Sequence, residues 1–340
     1  MRKWVYLGRR LALAVLVLLS VSIITFFISR VVPSNPAAKW VGPHPTHEQI
    51  AQARIKLGLD EPLYFQYLRY MEDLLHGDFG ISVRTHQPII NDLRIYLPAT
   101  LELVVVGTIM ALVIGIPLGV VSGAKKNSLI DHVSRLLAVA AVSVPVFWLA
   151  LLLQLLFFGK LGILPLGGRV DNAITIYHPV QQITGFYLID SLVTGNMPAF
   201  RSSLVHIILP AFCLGAFAAG LTIRMTRSTM IEVLEEGYIR AAQAAGFPER
   251  TILFKLALKN AIIPTLTVVS LSFVYAVTGA ILVEVIFSWP GLGRYVTEAI
   301  LGVDFPVIMA VTLVVTVLYV FINLLMDLLQ AFLDPRVSLD

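Results

Sequence analysis

The sequence predicts an all-α polytopic membrane protein with six transmembrane helices. Three observations lead there. The 340 residues are 57% hydrophobic and only 14% charged, with a mean hydropathy of +0.84, whereas an ordinary soluble domain is about 25% charged. Six apolar runs each approach or exceed the roughly 20 residues a bilayer demands of a helix. The alternating segments of an outer-membrane barrel, roughly ten residues each, are absent. Disorder and collagen are excluded by the apolar content and by glycines that show no triplet period, and a disulfide scaffold is excluded by a single cysteine. That residue, Cys213, lies in an apolar run and reads as a small core hydrophobe. The net charge of +4 is too small and too dispersed to indicate nucleic acid.

The six runs are residues Leu11–Ser29, Leu103–Ala124, Leu136–Gly159, Leu204–Ile223, Ala261–Val283 and Phe305–Met326. All lack charge, apart from His206 in the fourth, and Glu102, Glu284 and Asp327 stand just outside their ends. The first run follows Arg2, Lys3, Arg9 and Arg10 but is too long for a typical signal-peptide core and has no small-x-small cleavage site after it, so it reads as an uncleaved anchor. Lys and Arg are denser in 1–10, 125–135, 224–260 and 327–340 than in 30–102, 160–203 and 284–304. The positive-inside rule therefore expects the first set, with both termini, in the cytoplasm.

The long segment 30–102 is expected to be a small folded cap on the outer face. Thr46-His47-Glu48-Gln49 has capping-box spacing, and Gly58 stands where a helix through Ile55-Lys56-Leu57 would stop. Pro62 precedes an aromatic helix over Leu63–Met71, and His76-Gly77-Asp78-Phe79-Gly80 reads as a turn. The aromatics suit either an interfacial belt or a docking surface for an extracytoplasmic partner.

The segment 224–260 predicts a cytoplasmic hairpin. Met230–Ala245 has helix-forming composition, Gly246 fits the C′ position, and Pro248 fits N1 of a second helix over Glu249–Asn260 with Ile252, Leu253, Leu256 and Leu258 apolar. Ala241, Ala242, Ala244 and Ala245 give a side that another backbone can approach closely. Two readings are open: a surface hairpin packed on its own spans, or a docking element. DNA binding is disfavoured, because the hairpin lies between two spans and lacks a basic recognition face.

Catalytic signatures are missing. There is no phosphate loop, no nucleophile elbow and no Cys/His cluster with zinc spacing. His47-Glu48 begins like a zinc-protease motif, but Ala51 stands in place of the second histidine. The seven histidines are scattered, with His132 and His206 read as satisfied groups at membrane boundaries. A polytopic chain without a catalytic constellation or nucleotide site is expected to be a channel, a permease or an assembly subunit. Of the polar groups near the spans, Glu102, Glu284, Asn323 and Asp327 sit at ends, where helix anchoring and a pathway role are both open. Ser143, Pro145, Ser270 and Ser272 supply hydrogen-bonding groups and a kink within the third and fifth runs, as a pathway for a polar solute of modest charge would require.

The hairpin Tyr238-Ile239-Arg240-Ala241-Ala242-Gln243-Ala244-Ala245-Gly246, continuing to Asn260-Ala261-Ile262-Ile263-Pro264, resembles the EAA loop of ABC importer permeases in its dipeptide/oligopeptide/nickel form. Arg240 replaces the Glu of the general motif, and the proline lies farther from the glycine, as is usual in that branch. An ordered series of further motifs extends the resemblance over nearly the whole chain. Ile28–Pro36 is similar to the branch's opening, with Ser34-Asn35 for the usual Gly-Asp. Lys56–Asp60, His76–Ser82, Leu97–Leu103, Gly115–Gly119, Gly185–Asp190, Arg224–Met230, Glu284–Arg294 and Asp334-Pro335-Arg336 follow in order.

The resemblance implies a type I permease core at 97–330, preceded by an extra helix and outer loop at 1–96 and followed by a cytoplasmic tail at 331–340. It implies a prokaryotic inner-membrane protein that pairs with a homologous second permease, two ATP-binding subunits and an extracytoplasmic solute-binding protein. Tyr238, Arg240, Ala241, Ala242, Ala245, Gly246, Phe247 and Pro264 would couple to the ATPases. ATP and magnesium would be held by those partners, so this chain would carry no cofactor and no catalysis. Di- and oligopeptides are the expected cargo, with nickel chelates, glutathione or oligosaccharides as alternatives within the branch and a non-transporting scaffold as the alternative outside it.

Overall fold

The computed structural model describes residues 2–31, 37, 41, 45–56 and 58–333. His44, the Pro33-Ser34-Asn35-Pro36 opening, Leu57, the Asp334-Pro335-Arg336 motif and the side chain of Asp327 lie outside what is described. In chain order the helices are α1 (Arg2–Val31), α2 (His47–Lys56), α3 (Leu63–Leu75), α4 (Ile89–Ala124), α5 (Leu129–Ser143) and α6 (Val146–Leu153, continued by a π-helical stretch, Gln154–Lys160). Then come α7 (Asn172–Tyr177), α8 (Tyr187–Val193), α9 (Met197–Leu234), α10 (Gly237–Ala244), α11 (Glu249–Ile286), α12 (Leu292–Gly302) and α13 (Phe305–Leu333). Among the described residues the only extended pairing is an isolated bridge between Ile81 and Pro88.

Five helices are long and apolar enough to cross a bilayer: Gly8–Arg30 of α1, then α4, α9, α11, and Phe305–Met326 of α13. The expected third span, Leu136–Gly159, is not one helix. It is the pair α5 and α6, bent by 109° and counted as a sixth span only if taken together. The break is local chemistry. Pro145 has no N–H and disfavours helical geometry in the residue before it, and Val144 is extended at ψ 125°. The other helices outrun their apolar runs, so α4 begins well before Leu103 and α9 well before Leu204.

The chain forms two compact units. The first draws on Met1–Tyr96 and Tyr295–Phe321. There the Thr46–Gln49 capping box closes in both directions: Thr46 Oγ1 accepts from Gln49 N–H at 3.2 Å and Gln49 Oε1 accepts from Thr46 N–H at 3.0 Å. Gly58 takes φ +61° to end α2. α3 runs to Leu75, past the expected Met71. It is stitched to α1 by the Ser22–Tyr67 hydroxyl pair at 2.8 Å and by Phe26, which meets Tyr67 edge-on and stacks on Tyr70. Farther along, Ser82 donates to Asp304 Oδ2 at 2.6 Å, and Tyr295 donates to Asp92 at 2.7 Å.

The second unit draws on Leu97–Arg294 and Ile322–Ser338, with α9 at its centre. The most apolar window of α9 is 67% buried against 33% for α11, so α9 is the core helix. Small residues let its neighbours approach: Ala211, Gly215, Ala218, Ala219 and Gly220 are all buried. A Cβ on Gly215 would lie 2.3 Å from the Gly107 carbonyl oxygen of α4, so no side chain fits there. Asp131, fully buried near the start of α5, accepts from Ser122 Oγ at 2.6 Å, Asn127 N–H at 2.9 Å and the Arg227 guanidinium of α9.

Candidate functional site

The hairpin differs from its expected form at both ends. Met230–Ala245 is not one helix: α9 stops at Leu234 and α10 starts at Gly237. Glu236 between them is extended at ψ 148°. Two adjacent glutamates at a helix C-terminus oppose its dipole, and Gly237 is a weak helix former, so the chain breaks there. Pro248 is the N-cap of the second arm rather than its first helical residue. That arm does not end at Asn260 but runs unbroken as α11 to Ile286. Its early part, Ile252–Ala257, is π-helical.

The turn itself forms as the composition predicts. Gly246 takes φ +77°. Its N–H donates to the Gln243 carbonyl at 3.0 Å and the Phe247 N–H reaches back to the Ala242 carbonyl at 3.2 Å. This double closure is the Schellman arrangement, and it satisfies carbonyls that the helix end would otherwise orphan.

The eight hairpin residues divide by direction. Tyr238, Arg240, Ala241, Ala245, Gly246 and Phe247 are exposed. Ala242 is half-buried and packs with Ile239, Met230, Ile252, Ala257 and Ala261 in one apolar cluster. Tyr238 is held at its hydroxyl by Asn260 Nδ2 at 2.7 Å, a bond that ties the first arm to the second. Pro264 lies inside α11 and removes the N–H that would close on Asn260. Around it, Thr229 of α9 donates to the Ala261 carbonyl at 2.9 Å and Thr226 pairs with Thr265 at 3.1 Å. The hairpin is thus an apolar wedge fastened to two long helices, with aromatic and alanine side chains left facing outward.

Two cavities bear on the expected pathway residues. One, about 780 Å³, lies between α9 and α11 and is lined by Phe217, Arg224, Met225, Leu271, Ser272 and Tyr275 among others. A smaller one, about 160 Å³, brings Val144 and Val146 of the α5–α6 break against Ser272 and Gly279. Ser272 therefore lines both. Ser143 and Pro145 are exposed and line neither, and the hydroxyl of Ser270 is spent on its own helix at the Leu266 carbonyl, 2.8 Å away.

Glu284 lines neither cavity. It is fully buried, with Oε1 accepting from Thr100 at 2.6 Å and Oε2 from the N–H groups of Gly293 at 2.6 Å and Arg294 at 3.1 Å. This geometry fastens the end of α11 to α4 and to the start of α12. Glu102, also buried, is clamped by the Arg169 guanidinium, which stacks 3.8 Å over the Tyr187 ring, and by Leu188 N–H at 2.8 Å.

Comparison with known proteins decides the family. The family described as "Binding-protein-dependent transport system inner membrane component" matches residues 115–339. Its N-terminal companion, "Binding-prot-dependent transport system membrane comp, N-term", matches residues 3–104. The chain belongs to this family. It is 44% identical over 335 residues to the probable D,D-dipeptide transport system permease protein DdpB of Escherichia coli K12, covering 98% of each chain. It is 45% identical to the dipeptide transport system permease protein DppB of Alkalihalophilus pseudofirmus, covering 98% of this chain and 99% of the relative. It is 37% identical to the oligopeptide transport system permease protein AppB of Bacillus subtilis, with the same coverage. The all-helical architecture, with its extra N-terminal helix, agrees with membership of this inner-membrane component family.

The sequence reading missed Ile239, which is the buried pivot of the wedge, and the threonines that bind α9 to α11. Thr222, Thr226 and Thr229 recur at helical spacing on α9 and are all buried, a periodicity that could have marked that face. Arg224, quoted only as the start of the Arg224–Met230 motif, was not seen as a cavity residue, nor were Phe217 and Tyr275, for which no sequence signal stood out.

Proposed function

We propose that this family member is the permease subunit of an ABC importer for di- and oligopeptides, forming half of the solute pathway. The observation that carries the reading is the hairpin: an exposed alanine–aromatic surface at Ala241, Ala245 and Phe247, mounted on an apolar wedge fastened to α9 and α11. Two ATP-binding subunits dock there and hold the ATP and magnesium, since this chain has no phosphate loop. A homologous second permease completes the pathway, a solute-binding protein delivers cargo from outside, and both termini lie in the cytoplasm. Closure of the ATPase pair is passed through residues 238–264 to α9 and α11, and the pair of permeases switches from inward-open to outward-open. Such motion would reshape the cavity between those helices, where Arg224, Ser272 and Tyr275 stand among mostly apolar side chains. Peptide cargo is supported by the full-length likeness to proteins named for dipeptide transport.

The test is uptake by the complete complex in proteoliposomes with ATP inside the coupled compartment. Accumulation of a labelled dipeptide is expected. Transport of glutathione, a nickel chelate or an oligosaccharide with no dipeptide uptake would replace the cargo, and no transport of any solute would favour a scaffold. Stoichiometric ATP binding to the partner-free chain would contradict the assignment of ATP to the partners.

A further inference from the structure

A cavity of about 390 Å³ lies within the first unit and is lined by no residue of the hairpin. Its volume is in the range of sites that hold small ligands. Three polar atoms of residues that line it, Arg30 Nε, Gln66 Oε1 and Tyr70 Oη, are buried and have no hydrogen-bond partner among the described residues. Gln66 is only 8% exposed, and its amide nitrogen is already engaged by the Leu59 and Glu61 carbonyls, which fixes the orientation of the unpartnered oxygen. Buried polar groups in native proteins are nearly always paired. Three unpaired ones in residues of one cavity mark a place that a polar partner fills.

The chemistry of the lining is two-signed. A guanidinium and a phenol supply donors: Arg30 and Tyr70, whose hydroxyl is kept protonated by burial and secondarily by Tyr67 nearby. Acceptors come from Gln66 Oε1 and from the exposed carboxylates of Asp73 and Asp78 at the mouth. Arg69 is already paired with Glu61 at 2.9 Å. The remaining walls are apolar, among them Phe79, Val83, Val303 and Phe305.

Location selects among ligands that carry an anion and a cation together. Ser29 and Arg30 end the apolar stretch of α1, while Phe305 and Met309 begin that of α13, so the cavity sits where two bilayer-spanning segments terminate. On α1, Arg30, Phe27 and Ile23 share a face by helical spacing, and Phe27 and Ile23 are 56% and 52% exposed. A headgroup in the cavity would continue onto that apolar face. The geometry points to a binding site for a zwitterionic phospholipid headgroup, its phosphate on Arg30 and Tyr70 and its ammonium on Gln66 Oε1 and the Asp73–Asp78 mouth.

Native mass spectrometry of the full complex, purified from nanodiscs of equimolar phosphatidylethanolamine and phosphatidylglycerol, tests this. Wild type should retain phosphatidylethanolamine in preference to phosphatidylglycerol, which lacks the ammonium. Tyr70→Phe keeps the ring on Phe26 and removes only the hydroxyl; it should lower retention roughly tenfold, as loss of one hydrogen bond to a charged group does. Arg30→Gln should do the same, and Tyr64→Phe, on the same helix but outside the cavity, should not. Should Arg30→Gln fail to insert, Tyr70→Phe decides alone. Equal retention of the two lipids, or unchanged retention in Tyr70→Phe, overturns the site. Saturation by soluble glycerophosphoethanolamine with no lipid retained overturns the lipid assignment.

Discussion

The Thr100 hydroxyl donates to Glu284 Oε1 at 2.6 Å, across 184 positions of sequence. The same oxygen of Thr100 accepts from Leu292 N–H at 2.7 Å, so one side chain closes the end of α11 onto α4 and onto the start of α12. Thr100→Val keeps the shape and deletes both bonds. Each buried group left unpaired costs about 1–3 kcal/mol, so the melting midpoint of the purified complex should fall clearly, and Thr100→Ser should restore most of it. An unchanged midpoint for the valine variant would show that this closure contributes nothing.

The Glu102–Arg169 pair is buried on both sides, at 3% and 5% exposure. Arg169→Met strands a carboxylate among apolar groups and should cost about 3–5 kcal/mol, whereas Arg169→Met combined with Glu102→Leu should recover much of the loss. Folded yield and thermal midpoint of the two variants are the measurement. Equal stability of the single and double variants would rule out a coupled pair.

Outward and inward alanines of the hairpin should behave differently. Ala241→Leu and Ala245→Leu enlarge an exposed surface, so membrane insertion should be normal. Overpacking the proposed ATPase contact by about 1–3 kcal/mol should weaken docking about 5- to 150-fold. Ala242→Leu instead crowds the Ile239 cluster and should destabilise the hairpin itself. Gly246→Val must hold a β-branched residue at φ +77°, a strain of about 1–2 kcal/mol, and should uncouple ATP hydrolysis from uptake. Wild-type uptake and ATP hydrolysis in Ala241→Leu, Ala245→Leu and Gly246→Val complexes would reduce the hairpin to a surface turn.

Asp190 should give part of the second unit an acid limit. Burial raises its carboxyl, but hydrogen bonds from Thr184 Oγ1 and from the N–H groups of Thr184, Ile183 and Gly185 outweigh that and hold it below the usual carboxylate range. A depressed native value contributes stability that is full above the unfolded value, about 3.9, and is lost as pH falls through the native one. Protection of the 183–185 amides, taken relative to their intrinsic exchange rates, should therefore be lost only below about pH 4. In Asp190→Asn it should be lost at neutral pH as well. Protection, taken relative to the intrinsic exchange rate, that is lost on alkaline titration instead would reverse the sign and exclude this origin.

The apolar runs, the capping box at Thr46–Gln49 and the turn at Gly246 were legible because each rests on a few adjacent residues. The bend at Pro145 was legible as a kink but not as a 109° break, since its angle is set by what α5 and α6 pack against. The ends of α9 and α11 were not legible. Both outrun their apolar runs by polar residues that satisfy themselves only against distant partners, as Arg227 does on Asp131. Glu284 shows the same limit at the site: sequence marks a carboxylate beside a span, and only the fold shows that Thr100, Gly293 and Arg294 surround it.

The two arms of the hairpin differ mechanically. The incoming arm joins α9 through the extended Glu236, which can yield by rotation about its own backbone. The outgoing arm is the first turn of a 38-residue helix, a rod about 57 Å long, whose far end is locked in the Glu284 knot. A tilt of about 5° about one end of such a rod moves the other by about 5 Å. If the ATPases push at Phe247, as proposed, the outgoing arm would carry that motion toward Trp289 while the jointed arm absorbs misalignment: a lever with one compliant mount and one stiffer arm.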